Sequence, residues 1–386
     1  MKVMTRVVQA VVLVMVLTCL QADATGEVSG IELPEPTSNL EMILPVRENE
    51  LIVIRRITND EVGLDFSYRM SDRRWVRIEP NFRNAGYTGV GAITSCAIEP
   101  SGAWLCIANL SRNNSRVHCY LRLNFDGTAI IIPEIAYANS PNHGVVRLVW
   151  LKRYGLVAVV RKYANPDAFD SRAKWIGPGK LFRYDLDTRN WLPLELSAKR
   201  MEVTDIVSHH GEPMLLSTGL SRPPNVFEWA ILDANTERFE KRSLELPLHT
   251  EIVSFGYAGE RGDYLLVDAQ NRFIDEQGNR RYTGSSFVVD CERVSWRALE
   301  MPVGLKLWDL ALTNDQRVNA AFSESTKDGF CIFEGSAKLA PSNDKRVTFE
   351  TRKVFEFDST LYSLTSVKVA NFNEQALIYW RVGGDY

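Results

Sequence analysis

From about residue 50 onward, apolar and polar positions follow a strand rhythm. Short alternating or continuously apolar stretches, rich in Val, Ile, Leu and aromatics, are each closed by Gly, Pro, Asn or Asp. No stretch sustains the 3.6-residue apolar period of an amphipathic helix. Six stretches have the character of a first, inner strand: Ile93–Glu99, Val145–Leu151, Val203–Ser208, Ile252–Tyr257, Leu305–Leu312 and Leu364–Ala370. Their first residues lie 52, 58, 49, 53 and 59 residues apart. That interval suits a four-stranded propeller blade, at the long end of the roughly 40–50 residues usual for such repeats.

A second signature recurs later in each unit. Asp185 precedes Trp191 by six residues, Asp233 precedes Phe239 by six, and Asp290 precedes Trp296 by six. Asn124 and Ile130 keep the spacing, and Tyr68 stands seven before Trp75, as Tyr184 stands before Trp191. This predicts a third strand, a polar turn whose Asp or Asn bonds the turn backbone, and an outer strand whose aromatic packs between sheets. The run Tyr184, Asp185, Thr188, Trp191 and Leu194 resembles the closing hairpin of kelch repeats, units also found in galactose-oxidase-like proteins. The resemblance implies a β-propeller and carries no catalytic residue with it. The Gly-Gly pair that ends a kelch second strand is missing, since the sole Gly-Gly is Gly383-Gly384.

The expected fold is all-β: a single six-bladed β-propeller over residues 51–386, closed by N- and C-terminal strands. Residues 64–79 read as a third-and-fourth-strand hairpin and 364–382 as a first-and-second-strand hairpin. One blade built from both would hide two sheet edges. Leu51–Ile57 is left over and keeps seven blades as an alternative. Glu27–Glu48, with Pro34, Pro36 and Pro45, reads as an extended arm, so residues 25–50 stand outside the ring.

Residues 1–24 read as a secretory signal peptide. Lys2 and Arg6 form a basic start, Val7–Leu20 is a mostly apolar run of 14, and Ala22-Asp23-Ala24 supplies a small-x-small cleavage pattern. The run is too short to span a bilayer, which needs about 20 apolar residues. The expected address is secreted and extracellular, or periplasmic in a Gram-negative bacterium. Beyond the leader stand Cys96, Cys106, Cys119, Cys291 and Cys331, an odd number without CxxC spacing. The first three fall on neighbouring strands, as small buried residues or with one disulfide among them.

Composition narrows the function only by exclusion. The chain has 45 Lys plus Arg against 48 Asp plus Glu, so it lacks the basic footprint of a nucleic-acid binder. No cofactor or metal motif is present. His209-His210 is expected to point to opposite sides of a strand. Arg261-Gly262-Asp263 spells an integrin-type tripeptide, but a turn gives Gly262 an ordinary backbone reason.

Binding chemistry concentrates in two long connections between second and third strands. Tyr163–Gly179 carries Asp170, Arg172 and Trp175, and Gln270–Ser286 carries Arg272, Arg280, Arg281 and Tyr282; the inter-blade loops add His143. Long loops on a rigid scaffold gather binding residues, and Trp, Tyr and Arg anchor interfaces. These connections are either a binding face or solvated insertions. The first expectation is a monomeric binding module for a protein or glycan partner. The alternative is a carbohydrate- or lactone-active hydrolase or lyase using Asp205 and Asp309 at the central channel. Asn109 and Asn113 begin acceptor sequons, relevant in a glycosylating host.

Overall fold

A computed structural model describes residues 16–18, 29–30, 40–57, 62–140, 142–163, 175–217, 225–233, 236–247, 250–256, 263–274, 280–313, 316–339, 345–358, 362–372 and 375–384. Two short strands come first, β1 (Val16–Thr18) and β2 (Ser29–Gly30). Blade 1 is β3 (Leu40–Arg47), β4 (Glu50–Arg56), β5 (Leu64–Arg69) and β6 (Trp75–Ile78). Blade 2 is β7 (Ala92–Glu99), β8 (Gly102–Arg112), β9 (Ser115–Asn124) and β10 (Ala129–Ile132). Blade 3 is β11 (His143–Leu151), β12 (Gly155–Tyr163), β13 (Trp175–Asp185) and β14 (Asn190–Leu194). Blade 4 is β15 (Asp205–His209), β16 (Glu212–Ser217), β17 (Val226–Asp233) and β18 (Arg238–Glu245). Blade 5 is β19 (Thr250–Gly256), β20 (Tyr264–Ile274), β21 (Arg280–Asp290) and β22 (Ser295–Glu300), to which the short β26 (Arg346–Thr348) adds in parallel. Blade 6 is β23 (Lys306–Leu312), β24 (Arg317–Ser325), β25 (Gly329–Lys338) and β27 (Glu350–Asp358). The hairpin β28 (Tyr362–Phe372) and β29 (Gln375–Gly384) follows.

The chain is therefore all-β, with no helix among the described residues, and forms a β-propeller. Six blades, each with four antiparallel strands, are built from strands close in sequence, and blade 5 carries β26 as a fifth, parallel strand. A further sheet, ordered β2-β1-β29-β28, completes the ring from both ends of the chain, Leu17 pairing Ile378. All six inner strands read from the sequence are present, as β7, β11, β15, β19, β23 and β28.

The closing partners differ from expectation. Residues 64–78 do not join the C-terminal hairpin; β5 pairs β4, which pairs β3. Leu51–Ile57 thus finds its place in blade 1, and the stretch read as an arm contains an additional inner strand. Pro45 disguised β3. An inner strand pairs on one side only, and an edge tolerates the missing N–H of proline. Pro45 sits opposite Leu51, just before a register shift. With β3 counted, β3–β6 make a complete four-stranded blade that takes no strand from the C-terminal hairpin.

Apolar cores lie between neighbouring sheets rather than within one. Phe66 and Ile54 of blade 1 pack with Leu105 and Leu121 of blade 2. Leu40 and Val53 of blade 1 pack with Leu377 and Tyr379 of the closing sheet. Burying an aliphatic side chain of this size contributes about 1.5–3 kcal/mol, which makes these interfaces the main cohesion of the ring. The five cysteines are all free thiols. Cys106 packs toward blade 3 and Cys119 toward blade 1, on opposite faces of one sheet, so the small-buried-residue reading holds.

Candidate functional site

Six inner strands lose register at one equivalent place: between Leu40 and Met42, Ile93 and Ser95, Val145 and Arg147, Ile252 and Ser254, Leu307 and Asp309, and Leu364 and Ser366. A β-bulge bends its strand and re-aims the side chain beside it. Three of those side chains reach the neighbouring sheet. Ser95 Oγ accepts a hydrogen bond from the Leu148 amide at 2.7 Å. Arg147 donates from Nε to both carboxylate oxygens of Asp205 at 2.9 Å, and its Nη2 lies 2.8 Å from Oδ2. Asp309 Oδ2 accepts from the Val369 amide at 3.1 Å.

The two acidic candidates for catalysis therefore hold blades together. Asp205 is buried, bound by Arg147, and caps the Ile206 amide at 2.8 Å. Asp309 is less enclosed. Burial raises its pKa above the ordinary carboxyl value, against the Lys368 ammonium and two backbone amides, which lower it. The sequence reading missed Arg147, although a charged residue inside the otherwise apolar Val145–Leu151 was the signal for it. Arg161 was missed as well. It is buried, donates to the Gly177 carbonyl at 3.0 and 3.2 Å, and has its pKa lowered by burial against the pull of Asp205.

The binding candidates occupy equivalent ends of blades 3 and 5, where second strands finish and third strands begin. Asp170 and Arg172 lie outside the described residues. Trp175 opens β13 opposite Tyr163. Among the described residues, both stretches begin and end in strand: Tyr163 and Trp175–Gly179 in blade 3, Gln270–Ile274 and Arg280–Ser286 in blade 5. In blade 5, Arg272 faces Tyr282, Phe273 faces Arg281 and Ile274 faces Arg280 across the ladder. β19 stops pairing at Asn271 and β22 at Phe287, so this last stretch is a two-stranded ribbon beyond the blade. Three residues at about 3.3 Å each project it roughly 10 Å. His143 opens β11 opposite Lys162, half-buried, with its ring 4.6 Å from that of Tyr137. The Lys180 ammonium sits over the same Tyr137 ring at 4.1 Å. Around His143 the structure thus assembles a cationic and aromatic patch that spacing did not reveal.

The opposite end of the ring carries a correction. His209 and His210 do not point apart: their ring centroids are 4.5 Å from each other. His210 is the first of two turn residues with positive φ, at 52°, followed by Gly211 at 87°, which removes it from strand geometry. Asp263 approaches from blade 5, its Oδ1 2.9 Å from His210 Nε2. Arg261 and Gly262 lie outside the described residues. Asn109 and Asn113 are exposed, and Asn109 accepts a hydrogen bond from Arg116.

No protein-family model matches the chain, and no curated protein matches it. Among solved structures it is similar to a puromycin hydrolase mutant complexed with PGG, at 12% identity and a TM-score of 0.42 over 89% of this chain. It is similar to puromycin hydrolase itself at 13% identity and 0.41 over 90%. The chain spans 58% of the length of those two structures. YjhT aligns at 10% identity and 0.46, over 82% of this chain and 99% of that one. Likenesses this remote carry no argument about activity.

Proposed function

We propose that this is a secreted propeller that binds a protein or glycan partner through the blade 3 and blade 5 ends. The ribbon Arg272–Ile274 with Arg280–Tyr282 carries the reading. Its backbone pairs on past the last partners of β19 and β22, and it is rich in the residue types that anchor interfaces. Trp175 and His143 occupy the equivalent end of blade 3. Replacing Trp175, Arg280 and Arg281 together with Ala should abolish partner capture from native culture medium, or binding on a glycan array, and leave the thermal midpoint nearly unchanged. Undiminished binding by the triple variant would sink the assignment. Export is tested separately, by N-terminal sequencing of protein from the medium: a mature start at Thr25 supports the leader and means that the secreted ring closes without β1, and an intact Met1 opposes it.

A hydrolase or lyase at the channel mouth is the second reading, favoured by the raised pKa of Asp309. Asp205 serves it poorly, since both of its oxygens already accept from Arg147. Turnover of glycosides or lactones that disappears in Asp309→Asn would support this reading, and turnover that survives would remove it.

A further inference from the structure

The turn joining β15 to β16 has just two residues, His210 and Gly211, both with positive φ. Such a primed turn matches the twist of its flanking strands. It also folds the His210 ring back against the His209 ring, at an interplanar angle of 73°. His209 is buried at 8% exposure, whereas the His210 side chain is 52% exposed. Asp263 comes from the next blade, immediately before β20, and its own carbonyl accepts from the Cys291 amide at 2.9 Å, which fixes its backbone.

One ligand-capable atom from each of the three residues lies within 4.8 Å of the other two. Tetrahedral zinc, with bonds of about 2.0–2.2 Å to His nitrogen and carboxylate oxygen, places its ligand atoms roughly 3.4 Å apart. Side-chain adjustments of about an ångström therefore suffice. A second observation concerns Asp263 itself. Its Oδ1 is buried and faces His210 Nε2 at 2.9 Å, an ion-pair distance that calls for a proton or a metal ion between the two atoms. Buried carboxylate oxygens are normally satisfied; an imidazole with its proton on Nδ1 leaves this one unsatisfied, and an ion held by both atoms satisfies it.

We propose that His209, His210 and Asp263 bind a divalent transition metal, zinc by preference, and that the ion pins blade 4 to blade 5. Two imidazoles and one carboxylate favour zinc over calcium or magnesium, which prefer all-oxygen shells. Three protein ligands leave a fourth position to water. The site lies at the opposite end of the ring from the binding ribbon, so the two proposals stand or fall separately. An ion that binds only the folded ring stabilises it by RT ln(1 + c/Kd) at free ion concentration c, so the midpoint keeps rising with ion concentration above Kd.

The test is titration of the chelator-stripped full chain with zinc chloride, followed by calorimetry and by the thermal midpoint. The expected result is one ion per chain, a midpoint that rises with zinc, and at least a tenfold weaker affinity in His210→Asn. Asn tolerates positive φ, so this variant keeps the turn. Asp263→Asn should lose the zinc-dependent rise in midpoint too, and cobalt in place of zinc should give the visible absorption of a tetrahedral site. Zinc uptake by His210→Asn equal to that of the unmodified chain would overturn the proposal. So would an unmodified chain that takes up no zinc.

Discussion

Trp191 donates its indole N–H to the carbonyl of Pro133 at 2.8 Å, reaching from the outer strand of blade 3 to the segment that follows the outer strand of blade 2. Trp296 does the same from blade 5, donating to the Glu245 carbonyl of blade 4 at 3.1 Å. The repeated aromatic six residues after Asp is thus a blade-to-blade latch. The preceding Asp forms the turn that aims it: Asp185 Oδ1 accepts from the amides of Asp187 and Thr188, and Asp290 Oδ1 from those of Glu292 and Arg293.

Trp191→Phe keeps most of the ring packing and removes the donor. Denaturant unfolding should show a loss of about 1 kcal/mol, the net worth of one hydrogen bond. Phe239 holds the equivalent place in blade 4 without an N–H, so Phe239→Leu should change stability through packing alone. A Trp191→Phe variant as stable as the parent would mean that water replaces the latch at no cost.

Arg147→Ala would strand the buried carboxylate of Asp205. Breaking a buried pair from one side costs about 3–5 kcal/mol, and the 20% exposure of Arg147 puts this one toward the lower figure. The double variant Arg147→Met with Asp205→Leu should recover most of the loss, because it leaves no unpaired charge. Urea midpoints of the three proteins decide it. Equal losses in the single and double variants would contradict a stabilising role for the pair's charge balance.

Asp309 gives a pH dependence of definite sign. Its folded pKa is raised by burial above 3.8, so between the unfolded and the folded value the native chain binds more protons than the unfolded one. Its contribution to stability falls as pH rises through that window and stays low above it. Asp309→Asn removes this penalty. The midpoint of the variant relative to the parent should therefore be highest near neutral pH and shrink as pH approaches 4, by scanning calorimetry across the range. A gap independent of pH would contradict the assignment.

Burial pushes the Cys96 thiol up to about 11 and the Cys106 thiol up to about 12, and it raises Cys119, Cys291 and Cys331 as well. A thiol held protonated and covered reacts slowly. An aromatic disulfide reagent at pH 8 should modify these five sites slowly in the native chain and fully in denaturant. Rapid native labelling of any one of them would mark a local opening.

The sequence alone determined the repeat, because a buried inner strand must be apolar and a one-residue slip would turn its side chains to the other face. Six inner strands, the Asp turns and the latch aromatics are local patterns of this kind. β3 escaped because Pro45 is a breaker everywhere except at an unpaired edge, and edge status belongs to the ring. The ribbon of Arg272–Ile274 and Arg280–Tyr282 read as loop because its sequence shows no regular apolar alternation. Tertiary structure also decided the site chemistry. Arg147 and Asp205 are 58 residues apart in sequence, and His210 and Asp263 are 53 apart; each pair meets only because successive blades bring equivalent strands side by side. His209 and His210 share a side only because Gly211 permits a turn of positive φ. A charge or an imidazole placed by ring closure leaves no local trace, whereas the strand that carries it does.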